Sequence, residues 1–258
     1  MKIKLLKKDQ AIIAASDLSK IVLAKEYLNN RYHLETENLN VAEAAKKPLR
    51  SDIINILIRS LNRTTSYLEI GVRHKAENFA LIDADIKVSV DPGYETEIND
   101  VDYKMTSDEF FQGLRNGIVL PSDRKFDVIF IDGSHLADQV DRDIINSLEF
   151  LATDGFIVMH DCNPPTEFHA SENYHYRLSP SGDFWNGTTW KAFFKARQRT
   201  DISSCCIDTD WGIGIISKSL QLGQPSIVKN EFYEYHILKE NRNESLNLIS
   251  FEYFKKLI

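Results

Sequence analysis

Three cysteines, Cys162, Cys205 and Cys206, are all that occur in 258 residues, and no pair has Cys-x-x-Cys spacing. That excludes a disulfide framework and a thiolate metal site, and suits a reducing cytoplasm, the expected location. No apolar run approaches the ~20 residues a membrane-spanning helix needs. The basic start Met1-Lys-Ile-Lys-Leu-Leu-Lys-Lys lacks a long apolar region and a small-residue cleavage site. No membrane attachment is therefore expected. Basic stretches interleaved with aromatics are missing too: 31 Lys and Arg stand against 38 Asp and Glu, a net charge of −7. Nucleic acid is thereby disfavoured as the main partner. The length suffices for one large core, or a domain with an appended helical piece.

What is present is concentrated in a few short runs. Phe126-Asp-Val-Ile-Phe-Ile-Asp-Gly-Ser-His135 and Gly155-Phe-Ile-Val-Met-His-Asp161 are apolar, β-branched segments ending abruptly in acid and imidazole side chains. They read as buried parallel strands whose carboxyl ends open onto a cleft, the place where open α/β sheets bind ligands. Ile144, Ile145, Leu148 and Leu151 mark the crossover helix between them. Asp132, His135, His160 and Asp161 should therefore converge. An earlier strand, Tyr67-Leu-Glu-Ile-Gly-Val72, breaks at Gly71, where backbone can approach a ligand closely. About 20 residues on, Lys87-Val-Ser-Val-Asp-Pro92 ends in Asp91, at the spacing of an acid that accepts both ribose hydroxyls. A further strand is expected near Val101–Met105, and Ser107 or Asp108 then caps a helix.

Leu-Glu-Ile-Gly, the acid ending the next strand, Phe-Asp-Val-Ile-Phe-Ile-Asp-Gly, Ile131-Asp-Gly-Ser-His135 and His160-Asp161 occur in an order that resembles the class I S-adenosylmethionine-dependent methyltransferases. More narrowly they look like the bacterial branch that O-methylates sugars and natural products. The resemblance covers roughly Ser51 to Lys218. It implies a Rossmann-like α/β fold: a mainly parallel seven-stranded sheet with a terminal antiparallel hairpin and helices on both faces. It also implies S-adenosylmethionine held by Glu69, Gly71, Asp91 and Asp132, with the loop carrying Asp108 facing the adenine. Asp108 is thus either a cap or an acceptor for the adenine amino group. Two departures stand out. Gly71 is followed by Val-Arg-His-Lys-Ala, with Lys75 where a second glycine is common. Cys162 separates Asp161 from Asn163, where acid and amide are commonly adjacent. The single glycine also counts against a nicotinamide cofactor, whose fingerprint needs three.

Three segments are expected: a helical layer over 1–62 containing a helix at Leu49–Leu61, a methyltransferase domain over 63–220, and a helical extension over 221–258 suited to a homo-oligomer contact. Asp201–Asp208 and Gly212–Lys218 are strand-like runs joined by Thr209-Asp-Trp211, too short for a crossover, so they should pair antiparallel. Between Asp161 and Thr188 runs an irregular stretch rich in aromatics, including Tyr174, Tyr176 and Trp185, with His169 and His175. It suits packing on a sugar ring or aromatic acceptor, or serves as an ordinary lid. Methyl transfer to a hydroxyl needs alignment and a base or metal. His135 and His160 are candidate bases, His135 the better placed directly after its strand, with Asp132 and Asp161 as positioning acids. Alternatively Asp132, Asp161 and Asn163 hold Mg²⁺ or another divalent cation. The acceptor is expected to be a small molecule. Rival readings are a metal-dependent hydrolase using His160 and Asp161, helped by His74, His135 or His169, and a non-catalytic cofactor-binding subunit.

Overall fold

The computed structural model describes residues 18, 19, 22, 29–96, 98–174 and 179–258. The basic start, His175 and Tyr176 lie outside the described residues. Seven strands form one sheet: β1 (Ser66–Ile70), β2 (Ile86–Val90), β3 (Phe126–Ile131), β4 (Leu151–Met159), β5 (Ser203–Ile207), β6 (Ile213–Ser217) and β7 (Leu248–Ile249), in the order β2-β1-β3-β4-β6-β5-β7. The first four run parallel. β6 pairs antiparallel with both β4 and β5, the terminal hairpin expected from the three-residue connection. Strand order reverses at β1, between β2 and β3, so the ends of these strands open a crevice there.

Period-two alternation divides the core. Leu68, Ile70, Ile129 and Ile131 face one side, against Phe110, Phe111 and Phe193; Tyr67, Val128 and Phe130 face the other, against Ile53, Ile54 and Leu57. The first side is covered by α3 (Ser107–Arg115), α4 (Ala137–Phe150) and α5 (Thr189–Arg197); α2 (Arg50–Ser60) covers the second. α1 (Arg31–Ala44) precedes α2. α2 agrees with the helix read from Ile53, Ile54, Leu57 and Ile58. In α4, Ile144 is buried as expected, but Ile145 is 52% exposed.

Two expectations change. The strand expected near Val101–Met105 is reduced to a bridge between Val90 and Tyr103, because Asp102 turns back to accept hydrogen bonds from the Ser89 N–H and hydroxyl. The seventh strand comes instead from the C-terminal segment, which is not helical throughout. Short helices α6 (Tyr235–Glu240), α7 (Arg242–Leu246) and α8 (Phe251–Phe254) bracket β7, and β7 pairs in parallel with β5. Asn247, at φ 46° in the left-handed region between α7 and β7, donates to the Ser204 and Leu222 carbonyls. The extension is thus stitched into the main sheet.

Candidate active site

Two features meet at the carboxyl ends of β1–β4. The first is a cleft of about 340 Å³ bounded by Gly71, Arg73, Asp91, Ser107, Asp132, Gly133, Gln139 and Asp143. Gly71 stands at φ +90°, and its Cα lies against Asp132 and Gly133 with no space for a side chain. Asp91 accepts from the Gly93 N–H at 2.6 Å and from Asn99 at 2.7 Å, both through Oδ1. Lys75 does not line the cleft. It faces the Phe79 ring and Asp100, and Arg73 stands beside Gly71 instead.

The second feature is a charged cluster. Asp132, His135 and Asp161 place one ligand atom each within 4.8 Å of one another. His135 Nε2 lies 3.6 Å from Asp132 and 3.5 Å from Asp161. Its Nδ1 lies 3.0 Å from the Trp185 carbonyl, which can only accept, so Nδ1 carries a hydrogen and Nε2 is the ring atom facing the acids. The Trp185 ring stacks on His135 at 5.1 Å, and Tyr174 leans on Trp185. The aromatic loop therefore grips His135 directly.

Behind these residues, His160, expected at this strand end, is joined by partners that sequence reasoning missed. His160 directs Nδ1 to Asp161 (3.1 Å) and Asp132 (3.3 Å), and Nε2 to Asp210 (3.4 Å). Asp210 also accepts the Arg50 backbone N–H at 2.8 Å, and the Arg50 guanidinium lies 3.8 Å from Asp132. Asn186 donates to Asp161 at 2.7 Å. Asp210 sits in the hairpin turn and Arg50 in the first turn of α2. No local pattern marks either, since only the closed sheet brings them together.

The electrostatics follow from this grouping. Burial pushes the Asp132 carboxyl upward, but His160, His135 and Arg50 outweigh it and hold it well below the usual range. Burial opposes charge on His135 as well; Asp161 and Asp132 overcome it and raise the imidazole to about 9. His160 is driven well above its ordinary value by the same two acids, against the effect of burial. Asp210 is lowered by His160 and Arg50, which outweigh its desolvation. Asp132 and Asp210 are thus held as carboxylates against imidazolium and guanidinium.

Three expected site residues are placed elsewhere. Glu69 points to the α2 face because alternation turns it opposite to Ile70. There it accepts from Tyr67 Oη (2.5 Å) and Asn78 (2.9 Å), and burial raises it to about 7. It supports β1 rather than lining the cleft. Asp108 is neither cap nor cleft residue: Thr106 caps α3 in a capping box with Glu109, and Asp108 pairs with Arg142 at 3.1 Å on the surface. Asn163 donates to Asp208 and accepts from Arg242, which removes it from the carboxylate cluster. Cys162 uses one residue of chain, and its N–H is tied to the Gly212 carbonyl at 3.0 Å.

A family model described as a methyltransferase domain matches residues 28–162. The chain belongs to that family. Its mainly parallel sheet with antiparallel final strands is the class I, Rossmann-like methyltransferase fold, and the enzyme is S-adenosylmethionine-dependent. No curated protein matches the chain. Similar solved structures include an O-methyltransferase from Bacillus cereus in complex with SAH, at 14% identity and TM-score 0.44, covering 76% of this chain and 97% of that one. Another is the O-methyltransferase TomG from Streptomyces achromogenes, involved in tomaymycin synthesis and complexed with SAM. It is 11% identical with TM-score 0.42, covering 74% and 90% of the two chains. An SAH-bound methyltransferase from Podospora anserina is 16% identical with TM-score 0.41, covering 85% and 99%. Likenesses this distant carry no argument about the acceptor. Among the described residues, no helix is long and apolar enough to cross a membrane.

Proposed function

We propose that this methyltransferase acts on a hydroxyl of a small molecule, a sugar or glycosylated metabolite, at the ends of β3 and β4. One observation carries the reading: Asp132 belongs both to the wall of the cleft and to the His135–Asp161 cluster. A cofactor lying against Gly71 and Asp91 would thus end beside groups able to hold an acceptor and take its proton. The hydrolase reading is weaker, because His169 is tied to Asn40 and Thr166 and His74 is exposed on the loop after β1.

Bound in the cleft, S-adenosylmethionine supplies an electrophilic methyl group. This chain then has to align the hydroxyl and accept its proton. Asp132 and Asp161, held in turn by His160, Arg50 and Asn186, would accept the acceptor's hydroxyl hydrogens. His135 Nε2 would take the proton once it has lost its own hydrogen, which the two acids hold in place below about pH 9. Trp185 and Tyr174 beside it offer flat faces for a ring. The donor set of two carboxylates and one imidazole also fits a divalent cation, with Asp132, Asp161 and His135 as its holders and a lowered hydroxyl pKa as its contribution.

The test pairs a substitution with a chelator. His135→Gln should leave S-adenosylmethionine affinity nearly intact while turnover falls by about 10²–10⁴-fold, the scale of general-base loss. In the wild type, kcat/KM should then climb with pH toward about 9. If a cation activates the hydroxyl instead, chelator abolishes turnover. Methyl transfer indifferent to both would remove the chemistry assigned to this cluster.

A further inference from the structure

We infer that Phe184 and Trp211 form a platform for a second sugar ring of the acceptor, beside the ring that is methylated. The inference rests on the glycosylated acceptor proposed above and names where its remote ring sits. Phe184 and Trp211 stack on each other at 4.8 Å and 24°. Phe184 is 40% exposed and Trp211 half-buried, so the stack lies at the surface. Neither ring lines the cofactor cleft. Both stand beside the charged cluster instead. Phe184 precedes Trp185, whose ring packs on His135, and Trp211 follows Asp210, which faces His160. One side chain joins the two places: Asn186 donates to Asp161 Oδ1 at 2.7 Å and to the Trp211 carbonyl at 3.4 Å.

Packing alone does not account for Trp211. Asp210 and Trp211 stand at φ 44° and 65°, two consecutive left-handed residues in the turn between β5 and β6. Hairpin turns of that shape favour Asn-Gly, and a bulky side chain there is strained. Such strain persists only where the surroundings hold it, and it gathers at binding sites. Here the Glu43 carboxylate holds the Trp211 N–H at 3.0 Å, and the Asn163 N–H holds its carbonyl at 2.9 Å. His169, fully buried, backs the indole ring at 5.6 Å. The indole N–H has no acceptor among the described residues, and it is not one of the buried groups left unpaired. It is a donor open to solvent at the edge of an aromatic stack. Flat apolar faces with a free donor at the rim suit a sugar. The C–H face of the ring lies on the aromatic carbons, and a hydroxyl oxygen accepts from the indole. A plain hydrocarbon ring would leave that donor unused.

Titrations followed by saturation-transfer NMR on the S-adenosylhomocysteine-loaded chain test this without turnover. The probes are the methyl glycosides of glucose, galactose and rhamnose, the corresponding methyl disaccharides, and the phenyl monoglycosides. In the wild type, a disaccharide should bind about 3–10-fold more tightly than its monosaccharide, the scale of one aromatic contact. Phe184→Leu, which keeps apolar bulk without a flat face, should remove that gain. Trp211→Phe, which keeps a stack and deletes the N–H, should reduce it by about threefold. Asp161→Asn should weaken monosaccharide and disaccharide alike and keep the gain. No gain in the wild type, or a gain that survives Phe184→Leu, overturns the inference and leaves the sugar reading intact. A gain given only by the phenyl glycosides overturns the assignment of the platform to a sugar. A wild type that binds no probe overturns both. S-adenosylhomocysteine affinity, measured alongside, shows whether a variant is folded, and the wild-type comparison stands where one is not.

Discussion

A Cβ on Gly71 would lie 2.3 Å from the Asp132 backbone oxygen, inside any permitted contact. The ends of β1 and β3 are therefore pressed backbone to backbone, and the Asp132 N–H donates to the Ile70 carbonyl at 2.9 Å across the same seam. Gly71→Ala would have to push these strands apart and hold a side chain at φ +90°. The positive φ alone costs about 1–3 kcal/mol, with the clash added. Denaturant unfolding should show at least that loss. S-adenosylhomocysteine affinity should fall with it, because the floor of the cleft moves.

Asp91 commits one oxygen to the chain and leaves the other for a ligand: Oδ1 takes both Gly93 and Asn99. Removing the carboxylate in Asp91→Ala should weaken cofactor binding by roughly 1–3 kcal/mol, the range for hydrogen bonds to a charged group. Asn99→Ala should act in the same direction and less strongly, since it loosens Asp91 without deleting it. Isothermal titration of both variants checks the order. Unchanged affinity in Asp91→Ala would remove the ribose role.

What the sequence made legible was whatever repeats along a strand or sits at its end. Alternating and continuous apolar runs marked β1 to β6, and Asp132, His135 and Asp161 were found because strand ends in one sheet must neighbour one another. The motif marks Glu69 as a cofactor contact, yet period two turns it away from the cleft that Ile70 faces. Asp108 has the side chain of a cap or an adenine contact, but Thr106, two residues earlier, forms the capping box and leaves Asp108 to Arg142. Asn163 has a suitable side chain, and Cys162 displaces it from the cluster toward Arg242. Arg50, Asn186 and Asp210 carry no local signal. Their roles arise only when α2, the aromatic loop and the hairpin turn are packed on the finished sheet.

That displacement makes the cation-binding set testable. Asp161→Asn and His135→Ala should each lower Mn²⁺ affinity about 10–100-fold, whereas Asn163→Ala should change it less than threefold, since the Asn163 side chain is engaged elsewhere. Binding should also release a proton. His135 must be neutral to donate Nε2 and is raised to about 9, so affinity should increase with pH up to that value and level above it. Titrations at several pH values, followed by Mn²⁺ relaxation, measure both. Equal losses in Asn163→Ala and His135→Ala would restore the amide as a ligand.

His169 couples α1 to the aromatic loop and should make stability depend on pH. Its Nε2 lies 2.7 Å from Asn40 Oδ1, and its Nδ1 lies 2.9 Å from Thr166 Oγ1. One neutral tautomer satisfies both, with Nε2–H donating and Nδ1 accepting from the hydroxyl. Complete burial lowers the imidazole to about 4, despite an opposing pull from Asp161. Unfolded, the ring titrates near 6.5, so between those values the unfolded chain binds the extra proton and stability rises with pH. The contribution is fully present above about 6.5 and is lost as pH falls through about 4. A shift of this size corresponds to roughly 3 kcal/mol. His169→Gln retains a donor and an acceptor but cannot protonate. Its unfolding free energy should lose less than the wild type's between pH 7 and pH 4, by up to about that amount. Parallel pH profiles in the two chains would show that His169 is not held neutral by the fold.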